Sequence, residues 1–247
     1  LIAKLSKRVY GVKTREAGHM ASGSQSHSEQ ALPSAQASVA ALADARVVEC
    51  AAGLFLEQGI ASVKMTDIAD AADVGVATLY RHFSTKASIA AAVATVLWQR
   101  LEDSYEELVA GERYRSLDGA GRLRLLLDLY CTEHLYRPGF ASFIDELDRL
   151  IMEDAVSEGA ISAYTQTLAR PYAHYQAAYE LGRSDGSIGR QTDFALFYRS
   201  LAHALLSVAS KLSRGEVLPS DDFSGAATHD ELGCLIDMAI RSLDVRG

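Results

Sequence analysis

Three cysteines are the residues of this chain best suited to metal binding or nucleophilic chemistry, yet Cys50, Cys131 and Cys234 lie far apart without a C-x-x-C pair. Neither a disulfide framework nor a zinc site is indicated, and small buried apolar residues in a reducing cytoplasm is the simpler reading. Glu133-His134 and His174 stand alone, whereas a di-metal site in a helical bundle needs inward Glu-x-x-His pairs on two helices. No G-x-S-x-G elbow, Walker loop or G-x-G-x-x-G turn occurs, so no catalytic residue, metal or cofactor is assigned. What remains is a stretch of hydroxyl, imidazole and cationic groups: Thr66, Thr78, Tyr80, Arg81, His82 and Lys86. Its chemistry is that of binding.

Those groups need elements to position them, and the apolar spacing supplies them. Val47, Ala51, Leu54 and Phe55 fall at i, i+4, i+7 and i+8, which predicts a first helix of four turns from Ala43, stopped by Gly59-Ile60. Thr66 reads as the N-cap of a short second helix ending near Ala72, with Asp67 in its first turn. Asp73-Val74-Gly75 makes a tight connection, and Val76, Leu79, Tyr80 and Phe83 mark a third short helix. Leu79 and Phe83 should pin it inward, leaving Gly75, Val76, Ala77, Thr78, Arg81 and His82 outward. Ser84 reads as the cap of a long fourth helix with Ile89, Val93, Val96, Leu97, Leu101 and Leu108 in one stripe. Two short helices joined by a tight turn and braced by a helix in front form a helix-turn-helix, whose second member enters the DNA major groove.

The run Thr66-Asp67-Ile68-Ala69, then Ala72-Asp73-Val74-Gly75-Val76-Ala77-Thr78-Leu79-Tyr80-Arg81-His82-Phe83-Ser84-Thr85-Lys86, resembles the signature of the TetR family of transcriptional regulators. That resemblance implies that Val76, Ala77 and Thr78 meet bases, the first two through thymine methyl groups, and that Thr66, Tyr80, His82 and Lys86 hold phosphates. Arg81 could do either, and Gly75 lets the backbone come close. Each has a plainer alternative: Tyr80 as a core aromatic, Thr66 as a cap alone, His82, Arg81 and Lys86 as solvated surface groups. The sequence departs from the family pattern at Asp73, where glycine is usual. An aspartate there must adopt a strained or altered backbone, a tolerable cost for Asp in a left-handed region.

Charge limits this reading. The chain carries a net charge of −8 at 49% hydrophobic residues, which argues against indiscriminate coating of nucleic acid. Between residues 44 and 90, Arg46, Lys64, Arg81 and Lys86 face Asp44, Glu49, Glu57, Asp67, Asp70 and Asp73, so recognition must be local and aided by helix N-termini. No apolar run is long enough for a membrane span, and a cytoplasmic protein is expected.

The whole chain reads as all-α: a flexible tail at 1–42, a three-helix helix-turn-helix domain at 43–90 and an antiparallel helical-bundle domain at 91–247 for ligand binding and dimerisation. Gly18-His19-Met20 has the pattern of a vector junction, which would make the residues before Met20 foreign. Lys4, Lys7, Arg8, Lys13 and Arg15 would otherwise suit a minor-groove arm. Body helices are expected at 120–136, 140–154 and 160–182, the last kinked or split by Pro171. Thr192 or Asp193 should cap the next, and Thr228-His229-Asp230-Glu231 reads as a capping box for the closing helix. The resemblance implies an apolar pocket in the body for a small apolar or aromatic effector; Trp98, Tyr105, Tyr130, His134, Phe143, Tyr172 and Tyr175 are its candidates. The apolar stripes Phe197, Leu201, Leu205, Val208 and Leu235, Ile236, Ala239, Ile240 are wide enough to pair with a symmetry mate. The expectation is a repressor that binds a palindromic operator as a homodimer and leaves it when an effector binds. The competing reading is a helical interaction adaptor or bundle enzyme without DNA binding.

Overall fold

In the computed structural model of the chain, residues 35–153, 155–213 and 230–243 are described, with side chains placed for 44–153, 155–212 and 231–243. Every regular element among the described residues is a helix. The tag-like segment, the basic arm and residues Thr228 and His229 of the expected capping box lie outside them.

Helix α1 (Ala35–Gln58) begins inside the stretch read as a tail. Ala35, Ala37, Ala40, Ala41 and Ala43 are strong helix formers, and the Ser and Gln between them had suggested disorder. Helices α2 (Met65–Ala71) and α3 (Val76–His82) have seven residues each, too short to stand alone in water. They are held by burying Ile68, Ala69 and Leu79 in one core that also takes in Val47, Ala51 and Phe55 of α1 and Ile89 of α4 (Lys86–Ala110). Each large side chain so buried contributes about 1.5–3 kcal/mol.

Helix α4 has 25 residues, about 37 Å of continuous rod, and runs from the recognition helix into the body. The body follows as α5 (Glu112–Arg115), α6 (Gly119–Tyr130), α7 (Phe140–Met152), α8 (Glu158–Asp185), α9 (Phe194–Ser213) and α10 (Asp230–Ser242). Helix α8 packs along both α4 and α6, while α9 lies on α7 and α10. The α6–α8 crossing is close, because a Cβ on Gly119 would lie 2.0 Å from the Gly182 nitrogen.

Four local expectations are corrected. The N-cap of α2 is Lys64, two residues before Thr66; its backbone N–H donates to Asp67 Oδ2 at 2.8 Å, so the first-turn carboxylate closes the helix start. The cap of α4 is Thr85 rather than Ser84, its hydroxyl accepting from the Ser88 N–H at 3.0 Å. The 120–136 helix is two pieces, α6 and a π-helical turn at Cys131–Leu135, where the Tyr136 N–H reaches the Cys131 carbonyl at 2.9 Å. Helix α8 is not split at Pro171, which is buried inside it; packing of both halves on α4 and α6 outweighs a penalty of about 3 kcal/mol. Of the two candidate caps for α9, Asp193 does the work, accepting from the Leu196 N–H at 3.1 Å. Cys131 is buried as expected, but Cys50 is half-buried and Cys234 exposed, and all three are free thiols.

Candidate functional site

The turn between α2 and α3 is the strained point of the head. Asp73 has φ 51°, a left-handed conformation that no other described non-glycine residue adopts. The Val74 N–H returns to the Ala69 carbonyl at 3.0 Å, closing the end of α2. Two α1 side chains grip this turn: Arg46 Nη2 donates to the Asp73 carbonyl at 3.1 Å and Cys50 Sγ to the Ala71 carbonyl at 3.3 Å. The sequence pattern does not single out either residue, since the pairs are 27 and 21 positions apart.

Gly75 starts α3 in an extended conformation, and a Cβ there would meet only Thr78 Oγ1 at 3.8 Å, so no intramolecular crowding demands glycine. Along α3, Leu79 is buried, Val76, Thr78 and Phe83 are half-buried, and Ala77, Tyr80, Arg81 and His82 are exposed. Tyr80 is 52% exposed, which removes the reading of it as a core aromatic. Ala77, Tyr80 and Arg81 stand at i, i+3 and i+4 and so share one solvent-facing stripe. Thr66 is exposed on α2, its hydroxyl 3.5 Å from Asp67 Oδ1.

His82 and Lys86 are engaged inside the molecule. His82 Nδ1 lies 2.7 Å from Asp44 Oδ1 on α1. Lys86 Nζ donates to the carbonyls of Ala61 at 3.1 Å and Val63 at 2.7 Å, in the loop between α1 and α2. The body holds the same loop: Glu146 Oε2 of α7 accepts the Ala61 N–H at 3.0 Å. Close by, Phe55 of α1 stacks on Phe143 of α7 at 6.2 Å, and Gly139, with φ 79°, approaches so near that a Cβ would sit 1.8 Å from the Leu56 carbonyl oxygen. An ion pair between Arg100 of α4 and Glu49 of α1 adds a further tie. The head is thus fastened to the body at two places, through α4 and through α7.

Within the body a cavity of about 40 Å³ lies between α4, α6, α8 and α9. Trp98, Tyr105, Tyr130 and Tyr175 line it, together with Leu127, Pro171, Tyr198, Ala202 and Leu205. His134, Phe143 and Tyr172 do not: His134 packs behind Trp98, Phe143 belongs to the joint with α1, and Tyr172 meets Tyr198 edge to face. The Tyr105 and Tyr175 hydroxyls meet at 2.6 Å, and Tyr175 donates to the Leu126 carbonyl at 3.2 Å. Burial raises the pKa of both phenols and of Tyr130, so all remain protonated. No lysine or arginine lines the cavity.

The stripes proposed for dimerisation divide in two. Leu201, Leu205 and Ile236 are buried within the single subunit, Leu205 against the cavity, so they are core and not surface. Phe197, Val208, Leu235, Ala239 and Ile240 are half-buried, and Leu196 and Met238 are exposed at 50% and 62%. Periodicity gives the width of an apolar stripe but not which half turns inward.

Residues 47–93, from α1 through the first two turns of α4, match the family model described as bacterial regulatory proteins, tetR family. This segment of the chain is similar to the DNA-binding head of that family. Over 157 residues it is 27% identical to the HTH-type transcriptional repressor KstR2 of Rhodococcus jostii, covering 63% of this chain and 72% of that protein. The ketosteroid transcriptional regulator KstR2 of Mycobacterium tuberculosis has a similar fold, at TM-score 0.56 and 17% identity over 81% of this chain and 94% of that one. So has a putative transcriptional regulator from Saccharomonospora viridis in complex with choline, at TM-score 0.57 and 20% identity over 80% and 95% of the two chains. The chain is therefore a helix-turn-helix DNA-binding regulator whose body is helical throughout its described elements. No described helix is long and apolar enough to cross a membrane.

Proposed function

We propose that this protein is a cytoplasmic, non-catalytic repressor that binds a palindromic operator as a homodimer and releases it when a small effector enters the body. The observation that carries the reading is the exposed stripe of α3, with Ala77, Tyr80 and Arg81 free of the core while α1 grips the turn behind them. Ala77, with the edges of Val76 and Thr78, would meet base edges; Gly75 would let the helix start come close. Thr66, Tyr80 and Arg81 would meet phosphates and set the register. His82 and Lys86 would add positive potential from positions they already hold structurally.

The dimer would form on the outward halves of α9 and α10, around Phe197, Val208, Leu235, Ala239 and Ile240 with Leu196 and Met238. The effector would occupy an enlarged form of the body cavity, since drug-sized ligands fill about 300–1,000 Å³. Selection of bound DNA from a random pool tests the reading. It should enrich a pseudo-palindrome whose half-site centres lie roughly 34–36 Å apart, or a multiple of that. Recovery of no common sequence at physiological salt would overturn it.

A further inference from the structure

The imidazole at the end of α3 is tied by one of its two nitrogens. His82 Nδ1 lies 2.7 Å from Asp44 Oδ1 of α1, and a carboxylate can only accept, so Nδ1 carries a hydrogen. The tie joins the last residue of α3 to a helix 38 positions earlier in sequence terms, and it leaves Nε2 as the nitrogen for a partner outside the molecule. His82 is an exposed residue next to Arg81, and its side chain keeps 22% of its surface.

That tie decides what Nε2 can offer. A neutral imidazole has one N–H; with it fixed on Nδ1, Nε2 presents a lone pair, which would meet a phosphate oxygen as acceptor against acceptor. The imidazolium has a hydrogen on each nitrogen and can bridge Asp44 to a phosphate. Charge points the same way. Beside neutral His82 the Asp44 carboxylate, 42% exposed, stands as a bare anion near the DNA backbone, whereas the imidazolium cancels it. The other charged groups of the surrounding helices are engaged elsewhere or turned to solvent. Arg46 of α1 donates to the Asp73 carbonyl, and Lys86 of α4 to the carbonyls of Ala61 and Val63. Asp67 of α2 holds the Lys64 N–H, while Asp70, Asp73 and Arg81 are exposed. Among the described residues Asp44 alone forms an ion pair with His82.

We propose that Asp44 is a positioning residue for DNA binding: by holding Nδ1–H it commits His82 to meet a backbone phosphate through Nε2 as the imidazolium, so that operator binding takes up a proton. The proposal rests on the reading of α3 as the helix that enters the major groove. The proton comes from the buffer, adds to the Nε2 lone pair and turns that nitrogen from acceptor to donor. Histidine changes charge between about pH 5 and 8, so the step falls where binding is readily measured.

Calorimetric titration of the full-length protein with its selected operator, in buffers of different ionisation heat, counts the protons taken up. Uptake should be greatest near about pH 7.5, up to about one proton per subunit, and vanish toward about pH 5, where the free protein already carries it. His82→Gln keeps an N–H donor that does not titrate, and it should bind with this uptake abolished. Asp44→Asn can turn its own N–H toward Nδ1, which moves the hydrogen of the neutral ring to Nε2. The affinity of Asp44→Asn relative to wild type should therefore be at least about threefold higher at about pH 8 than at about pH 6. A tie that merely braced α3 on α1 would weaken both variants by the same factor at every pH, and that result would overturn the proposal. So would uptake undiminished in His82→Gln. Wild-type protein that binds its operator without taking up a proton refutes this proposal alone, whereas failure to select any operator refutes the placement of α3 as well.

Discussion

At Lys86 a single ammonium is hydrogen-bonded to two carbonyls of the α1–α2 loop and also stands where the family resemblance places a phosphate contact. Hydrogen bonds from charged donors contribute about 1.5–3 kcal/mol each when desolvated, and this group is only partly buried. Lys86→Ala should therefore lower stability by about 1–2 kcal/mol in urea denaturation and weaken binding to all DNA sequences alike. Arg81→Ala should leave stability unchanged and reduce the salt slope of binding by about 1, the signature of a lost phosphate contact. An unaltered slope would remove Arg81 from the interface. Asp148 gives a prediction in pH. Burial, and then the charge of Asp145, raise its pKa from 3.8 to about 6. The folded chain thus holds this proton more tightly than the unfolded chain, and the stabilisation present below the unfolded value is lost as pH rises through 6. Asp148→Asn stays neutral throughout, so it should stabilise the protein by about 1–3 kcal/mol at pH 8 and change little at pH 4. An equal effect at both pH values would contradict this origin.

At the scale of elements, the α1–α2 loop is held from both sides, by Lys86 of α4 and by Glu146 of α7. Glu146→Ala removes the acceptor for the Ala61 N–H, and Glu146→Gln keeps one. The alanine variant should lose about 1–3 kcal/mol of stability and bind operator more weakly, while the glutamine variant stays near wild type. Matching behaviour of the two variants would show that the loop does not depend on this bond. The helices themselves were largely legible, because α2, α3 and α4 each carry an apolar stripe at helical spacing and Gly75 breaks the run between them. The left-handed Asp73 was also legible, since a turn that usually takes glycine leaves an aspartate few other conformations. Caps slipped by one or two positions because Lys64 and Thr85 are chosen by tertiary position as much as by type. The grip of Arg46 and the Glu146 bond were not legible, for they join residues distant in sequence.

For the whole molecule, the inward burial of Leu205 and Ile236 separates folding from assembly. A charge at Leu205 should unfold the subunit, whereas Met238→Glu on the exposed side of α10 should yield folded monomers in sedimentation or light scattering, with weakened operator binding. Dimers of unchanged affinity from Met238→Glu would move the interface elsewhere. The two attachments of the head also bear on release, because an effector that enlarged the cavity would press on Trp98 of α4 and, through His134, on the turn leading to α7. Reading of DNA by α3 is the claim on which all of this depends. It is tested most directly by measuring the affinities of wild type and Thr78→Ala for the selected operator and for each of its single-base variants. Thr78→Ala should lose about 1–3 kcal/mol of discrimination at one position, repeated symmetrically in both half-sites, with affinity for unrelated DNA unchanged. Identical base profiles for the two proteins would contradict the placement of α3 in the major groove.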